Sequence, residues 1–352
     1  MKKPLILQPK CYFYDLGLDL YNVDVFEMKT LIWLERNHKL VSHIISCIDH
    51  DLYSRAVVLY AKKFDIKTVF LMDGIYDYNN AFSNKYTRSL GVDLFYPFLY
   101  EKVYCVGRST AKLFNYLGAE TYCYLPRRAQ VSFNKDRTLM FDVLIATANT
   151  PYFNCSEKER LVHLIKICID NIIKLNLTYR LRIFDKEIIE LLGEDSSVYV
   201  NDGTFSEHIS SFKILLSTPS TLTETAVNFD IPVALLDYRD TPIFTSAGWR
   251  IHQGVNLSET ISDMMNGNVS RLHYQSLMGK NIINDEFLND NCLLDDIKNK
   301  NINISNENKL FIYESLLRSK FNLNFEYFVR RVCSHLKYNK LFAVFVKIIK
   351  NK

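Results

Sequence analysis

Short apolar runs alternate with segments of helical period along most of this chain. In the first half, Pro4–Gln8, Ser42–Ile48, Thr68–Leu71, Lys102–Val106 and Thr121–Leu125 read as strands. Helical segments lie between them, notably Leu52–Phe64 and Ser109–Leu117, the latter closed by Gly118. A second series comes after it, with strands at Phe141–Ala146, Tyr179–Phe184, Val198–Val200, Lys213–Leu216 and Pro232–Leu236. Its helix Ser156–Leu175 opens with Ser156-Glu157-Lys158-Glu159, which reads as a capping box. A strand–helix–strand order implies parallel sheets covered on both faces.

Two such series predict an α/β protein with two Rossmann-like, doubly wound domains facing a cleft. The expected borders are 1–137 for the first domain and 138–280 for the second, with an irregular segment and basic C-terminal helices over 281–352. The polar, basic stretch from Pro126-Arg127-Arg128 to Asp136-Arg137 reads as the linker. Residues from about 281 to 309 are rich in Asn and Asp without periodicity, and read as an irregular connection. In open sheets of this kind, ligands bind beyond the carboxyl ends of the strands.

Composition narrows the chemistry. The chain has 352 residues, enough for two domains, and no run of about 18 uncharged apolar residues that would read as a membrane span. The start, Met1-Lys2-Lys3-Pro4-Leu5-Ile6-Leu7-Gln8-Pro9, reads as a first strand and not as a signal peptide, so the expected location is cytoplasmic. Eight cysteines occur without a C-x-x-C pair, which favours reduced thiols over a disulfide framework or a zinc site. Only 11 glycines occur, and neither a G-x-G nor a P-loop pattern is among them. A phosphate must then be held by helix termini and side chains.

The segment Ser217-Thr218-Pro219-Ser220-Thr221-Leu222-Thr223-Glu224 meets that need. It runs from an apolar strand into a helix whose start is rich in hydroxyls, and a helix start carries partial positive charge. Ser217, Thr218, Ser220 and Thr221 are the candidate phosphate ligands. Asp73-Gly74 directly follows the strand Thr68–Leu71, where a carboxylate can act as a general base and the glycine permits close backbone approach. Asp77 is a substitute base. Asn149 and Thr150 follow Phe141–Ala146, and Arg182 and Asp185 flank the end of Tyr179–Phe184. All four are candidate donor contacts. Asp49-His50-Asp51 precedes a helix, so Asp51 reads as its N-cap or as an acceptor-side contact. Trp249-Arg250-Ile251-His252 falls after the last expected strand, within reach of a donor.

Two Rossmann-like units with a hydroxyl-rich turn late in the second resemble the GT-B class of glycosyltransferases, over roughly residues 4 to 260. The resemblance implies a nucleotide-sugar donor on the C-terminal domain and an acceptor on the N-terminal one, with Gly74, Asp77 and Asp51 on the acceptor side. It also implies that Glu224 accepts hydrogen bonds from ribose hydroxyls. Asp73-Gly74 paired with the Ser/Thr cluster resembles bacterial transferases that use CMP-activated ulosonic sugars such as Kdo or sialic acid. Met72 stands where an acidic residue commonly precedes that Asp, and the chain has no His-Pro pair.

The expected activity is therefore inverting, metal-independent transfer onto a bacterial surface glycan or a lipid-linked oligosaccharide, without a cofactor. The alternatives are a UDP-sugar transferase of the same fold and a noncatalytic nucleotide-sugar-binding subunit of a polysaccharide assembly complex. After Glu326 the chain has no acidic residue but seven basic ones. A terminal helix would set Lys340, Lys347 and Lys350 opposite Leu341, Phe345, Ile348 and Ile349, a pattern fit for an anionic membrane surface or for packing on the protein. Nucleic acid is not an expected partner, since the basic charge is local and no recognition motif accompanies it.

Overall fold

The computed structural model describes residues 2–18, 31–89, 93–130 and 138–279. The expected basic terminal helix, the Asn/Asp-rich stretch before it and most of the linker therefore lie outside the described residues.

Among the described residues, ten strands build two five-stranded sheets. The first contains β1 (Lys3–Ile6), β2 (Val41–Ser46), β3 (Lys67–Ile75), β4 (Lys102–Val106) and β5 (Glu120–Cys123), in that spatial order. The second contains β6 (Phe141–Ala146), β7 (Tyr179–Arg182), β8 (Phe212–Ser217), β9 (Val233–Leu236) and β10 (Trp249–Ile251), ordered β10-β9-β8-β6-β7. All registered pairs are parallel. The α/β expectation thus holds for both halves. In the second sheet, strand order reverses at β6, with β7 on one side and β8 on the other. Loops leaving β6 and β8 diverge at such a reversal, and a crevice opens between them.

The described residues divide into two compact units, one with residues 2–18, 31–71, 86–89 and 93–102, the other with 72–85, 103–130 and 138–279. In the first, the helix Leu52–Ala61 is capped by Asp51, whose carboxylate accepts from the N–H groups of Tyr53 (3.1 Å) and Ser54 (3.3 Å). Gln8 connects β1 to this cap, accepting from Cys47 N–H at 2.8 Å and donating to the Ser54 hydroxyl at 3.1 Å. Asp51 is thus the N-cap, and its oxygens are spent on that task.

In the second unit the central strands β6, β8 and β9 are mostly apolar. Val143, Ile145, Leu181, Ile214 and Leu216 face the helix Cys155–Lys174, which contributes Leu161, Leu164, Ile165, Cys168, Ile169 and Ile172 at helical spacing. The alternate residues Leu144, Ala146 and Leu215 face Ala226, Val227, Ile231 and Val233 on the other side. Both faces of these central strands are buried, so their apolar runs are nearly continuous, while the edge strands β7 and β10 keep Arg180 and Arg250 among apolar residues.

Four local expectations change. β3 runs on to Ile75, so Asp73 and Gly74 form its carboxyl end and do not follow it. The long helix is capped by Asn154, one box earlier than Ser156: Asn154 accepts from Glu157 N–H at 2.9 Å, and Glu157 accepts from the Asn154 amide at 2.9 Å. Residues 198–200 form no strand. A 3-10 turn, Ser196–Val198, leads to a single bridge at Tyr199, and beyond it the side chain of Asn201 takes the place of a ladder. Its carbonyl accepts from Ile183 N–H at 3.0 Å and its amide donates to Ile183 C=O at 2.6 Å. Trp249–Ile251 forms the edge strand β10, with Trp249 buried and donating from its indole to Asp263 at 2.8 Å.

Among the described residues, no helix is long and apolar enough to cross a membrane. Trp249→Ala should lower the urea-unfolding free energy of the second unit by about 3–5 kcal/mol, because it removes a fully buried indole and one of the hydrogen bonds to Asp263.

Candidate functional site

All residues of the candidate site belong to the second compact unit. A cavity of ≈ 740 Å³ lies beyond the carboxyl ends of β6, β7 and β8. Thr147, Ala148, Asn149 and Thr150 border it after β6, Arg182 and Phe184 at the end of β7, and Pro219, Ser220, Thr221 and Leu222 after β8. Asp73, Gly74, Asp77, Asn80 and Arg128 complete its wall, together with Thr204–Ser206.

The floor is set by hydroxyls that serve the backbone. Thr218 Oγ1 accepts from Ala148 N–H at 2.7 Å and so ties the loop after β8 to the loop after β6. Ser217 donates to Thr218 C=O at 2.8 Å and accepts from the Thr223 hydroxyl at 3.1 Å. Ser217 and Thr218 are therefore buried behind the cavity, and Ser220 and Thr221 are the pair that borders it.

Ser220 caps the helix Thr221–Asn228 in extended conformation, accepting from Thr223 N–H at 3.4 Å. The other first-turn N–H groups have no partner within the helix and carry its positive end. Thr147 adds a further donor: its hydroxyl is buried, borders the cavity and has no hydrogen-bond partner among the described residues.

Gly74 meets this helix end closely. A Cβ at residue 74 would stand 2.7 Å from Thr221 Oγ1 and 3.9 Å from Arg128 Nη2. Only a bare backbone lets the end of β3 lie against Thr221 with both groups in place. Asp73 is exposed, and Arg128 contacts it twice, donating to its backbone carbonyl and standing 3.7 Å from its carboxylate.

Two guanidinium groups on the cavity differ in their surroundings. Arg182 is buried and donates to the carbonyls of Val200 (2.7 Å), Asp202 (3.2 Å) and Gly203 (2.9 Å), holding the loop that carries Thr204–Ser206. Burial lowers its pKa against the pull of Asp202 and Glu207, and no carboxylate pairs with it within 4.0 Å among the described residues. Arg128 is half exposed.

Asp77 is already engaged. It caps the helix Tyr78–Phe82 through Asn80 N–H at 2.9 Å and pairs with Arg239 at 2.6 Å. Arg239 also donates to Pro151 C=O at 2.6 Å and stands 3.8 Å from Glu157, which accepts from Asn79 at 2.7 Å. Burial opposes the charge on Arg239, while Tyr238, Asp77 and Glu157 more than restore it, so its pKa is raised. This buried cluster ties the segment after β3 to the loop after β6.

Like Ser217 and Thr218, two further candidates stand apart from the cavity wall. Glu224 is buried, with its carboxylate beside Gly107. Asp185 caps the helix Lys186–Leu192 through Ile188 N–H at 3.0 Å and accepts from Tyr152 at 3.4 Å. Sequence reasoning gave Arg128, Arg239, Glu157 and Thr147 no role at the site: Arg128 lay in an apparent linker, Glu157 inside an apparent capping box, and Arg239 and Thr147 carry no motif of their own. No group of three metal-ligating side chains occurs among the described residues.

No protein-family model and no curated protein matches the chain. Several solved structures are similar to it. Staphylococcus aureus MnaA, solved with UDP, is 14% identical, with 82% of this chain and 94% of that one covered at a TM-score of 0.46. The pneumococcal O-GlcNAc transferase GtfA, solved with UDP and GlcNAc, is 11% identical, with 80% of this chain and 58% of that one covered at a TM-score of 0.44. The glycosyltransferase SnogD from Streptomyces nogalater is 12% identical, with 70% and 72% covered at a TM-score of 0.39.

Proposed function

We propose that the protein is an inverting glycosyltransferase that takes its sugar from a nucleotide-activated donor and passes it to a hydroxyl of a surface glycan or lipid-linked oligosaccharide. One observation supports this above the others. The unpartnered Thr147 hydroxyl borders the same cavity as the N-terminus of the Thr221–Asn228 helix. A buried donor without a partner is costly, and a phosphoryl oxygen beside a positive helix end satisfies both groups at once. The cavity of ≈ 740 Å³ has room for a nucleotide sugar.

In this reading the acceptor oxygen attacks the anomeric carbon while the bond from that carbon to the donor phosphate breaks. Asp73 takes the acceptor proton. Charge that develops on the leaving phosphate is met by the Ser220 and Thr221 hydroxyls and by the first-turn N–H groups, all in place before reaction. Asn149 and Thr150 are offered to the sugar or phosphate from the loop after β6. Asp77, held by Arg239, serves as a positioning residue for the segment that carries Asp73.

The donor we favour is a CMP-linked ulosonic sugar, Kdo-like or sialic-acid-like, on the pairing of Asp73-Gly74 with the Ser/Thr cluster. Such a donor brings a phosphate and a carboxylate to a cavity bordered by two guanidinium groups, Arg128 and Arg182. A UDP-sugar, whose diphosphate also presents two anionic groups to that pair, is the second reading.

A thermal-shift panel of CMP, UDP, GDP and CDP tests the donor. A nucleotide at 100 times its Kd should stabilise the fold by about 2.7 kcal/mol. Ser220→Ala with Thr221→Ala should weaken that binding while the fold persists, since a lost cap costs only about 1 kcal/mol. Protein that no nucleotide stabilises would refute the proposal. Asp73→Asn should lower transfer at least about 100-fold. Near wild-type turnover in that variant would remove Asp73 as base. Transfer should persist in EDTA, because hydroxyls, N–H groups and guanidinium groups meet the leaving charge. Inhibition by EDTA that Mg²⁺ or Mn²⁺ reverses would count against a metal-independent mechanism.

A further inference from the structure

Arg128 stands where the base and the phosphate site meet. Its turn is fixed from behind: Thr225, on the Thr221–Asn228 helix, donates to Ala129 C=O at 3.0 Å, and Ala129 N–H returns to Pro126 C=O at 2.8 Å. One edge of the guanidinium is anchored on the backbone carbonyl of Asp73. The Asp73 carboxylate is 3.7 Å from Nη2, longer than the roughly 2.7–2.9 Å of a charge-assisted hydrogen bond. Both side chains are open to solvent, with 50% of Arg128 and 74% of Asp73 exposed, and exposed pairs of this kind are held weakly.

The helix end is close at hand. Thr221 Oγ1 and Arg128 Nη2 both lie within 4 Å of the point that a Cβ at residue 74 would occupy. A phosphate seated on Ser220 and Thr221 is therefore within reach of the free edge of the guanidinium. Phosphate oxygens match that planar fork in a bidentate way, which a carboxylate at 3.7 Å does not.

From this geometry we propose that Arg128 is exchanged between two anions: the Asp73 carboxylate holds it in the free protein, and the donor's leaving phosphate takes it over on binding. The proposal rests on the nucleotide-sugar reading above. Its consequence is order. While Asp73 faces Arg128, the positive charge beside its carboxylate makes it a weaker proton acceptor. Once the phosphate claims the guanidinium, Asp73 is released to accept the proton of the incoming hydroxyl. The same side chain then neutralises the leaving group as the anomeric bond breaks. Base and leaving-group stabiliser are thereby coupled, and the acceptor meets an active base only when a donor is in place.

The test is titration calorimetry of CMP and of UDP against wild type, Arg128→Gln, Asp73→Asn and the double variant, with cytidine and uridine as phosphate-free controls. Arg128→Gln should weaken nucleotide binding by about tenfold, the loss of one charged hydrogen-bonding partner, and leave nucleoside binding unchanged. Arg128→Lys should recover part of that loss. Asp73→Asn keeps the backbone carbonyl that anchors Arg128 but frees its charge. It should tighten nucleotide binding severalfold in the wild-type background and leave it unchanged beside Arg128→Gln. Nucleotide binding that Arg128→Gln does not alter, or equal tightening by Asp73→Asn in both backgrounds, overturns the exchange while leaving the nucleotide reading intact. Wild-type protein that binds neither CMP nor UDP overturns the nucleotide reading and the exchange with it.

Discussion

The hydrogen bond from Ala148 N–H to Thr218 Oγ1, at 2.7 Å, joins two loops that strand order sends apart. β6 and β8 are neighbours, but their chains leave the sheet toward different helices, and the crevice between them is where the cavity opens. With the two loops tied at their base, Thr147 to Thr150 and Ser220 to Thr221 become one continuous wall. The tie also places the helix N-terminus, because Ser217, Thr218 and Thr223 bond to one another beneath Ser220. Hydroxyls buried behind the cavity thus determine where the hydroxyls that border it stand.

A second constraint acts from the side of Asp73. Arg239, with Asp77 and Glu157, forms a buried ionic cluster that connects the segment after β3 to the loop after β6. Removing charges from water is expensive, and such a cluster is held only when its geometry and added hydrogen bonds are good. Here Asn79, Pro151 and the cap at Asn80 supply those bonds. The arrangement fixes a position more than it adds stability. Gly74 then lets the end of β3 come against Thr221 without a side chain between them.

Much of the frame was legible in the chain. β4 and β6 were read with their true ends, because apolar runs buried on both faces carry a strong signal. The hydroxyl-rich start at Ser220-Thr221, the carboxylate of Asp73, the glycine at 74 and the loop at Asn149-Thr150 were all marked, and all border the cavity. Strand ends and caps were less legible. Asn154 and Ser156 each stand three residues before a Glu, and only the burial of Glu157 against Asn79 and Arg239 selects the first. Tyr199 lies in an apolar run that reads as a strand, but it makes only a single bridge, and the side chain of Asn201 replaces the ladder beyond it.

What the sequence by itself determined is local: which segments are strands, which turn is rich in hydroxyls, and which carboxylate stands at a strand end. These features come from periodicity and capping, interactions that span a few residues. Tertiary structure alone decided which polar groups are used up and which are free. Ser217 and Ser220 have the same side chain three positions apart, yet one is spent within the loop and the other borders the cavity. Arg128 and Arg239 acquire their roles from partners far away in sequence, Asp73 and Asp77, and Thr147 acquires its role from a hydroxyl that the fold buries without a partner among the described residues. The partners of a hydrogen bond or an ion pair are set by distance in space, and no local pattern records them.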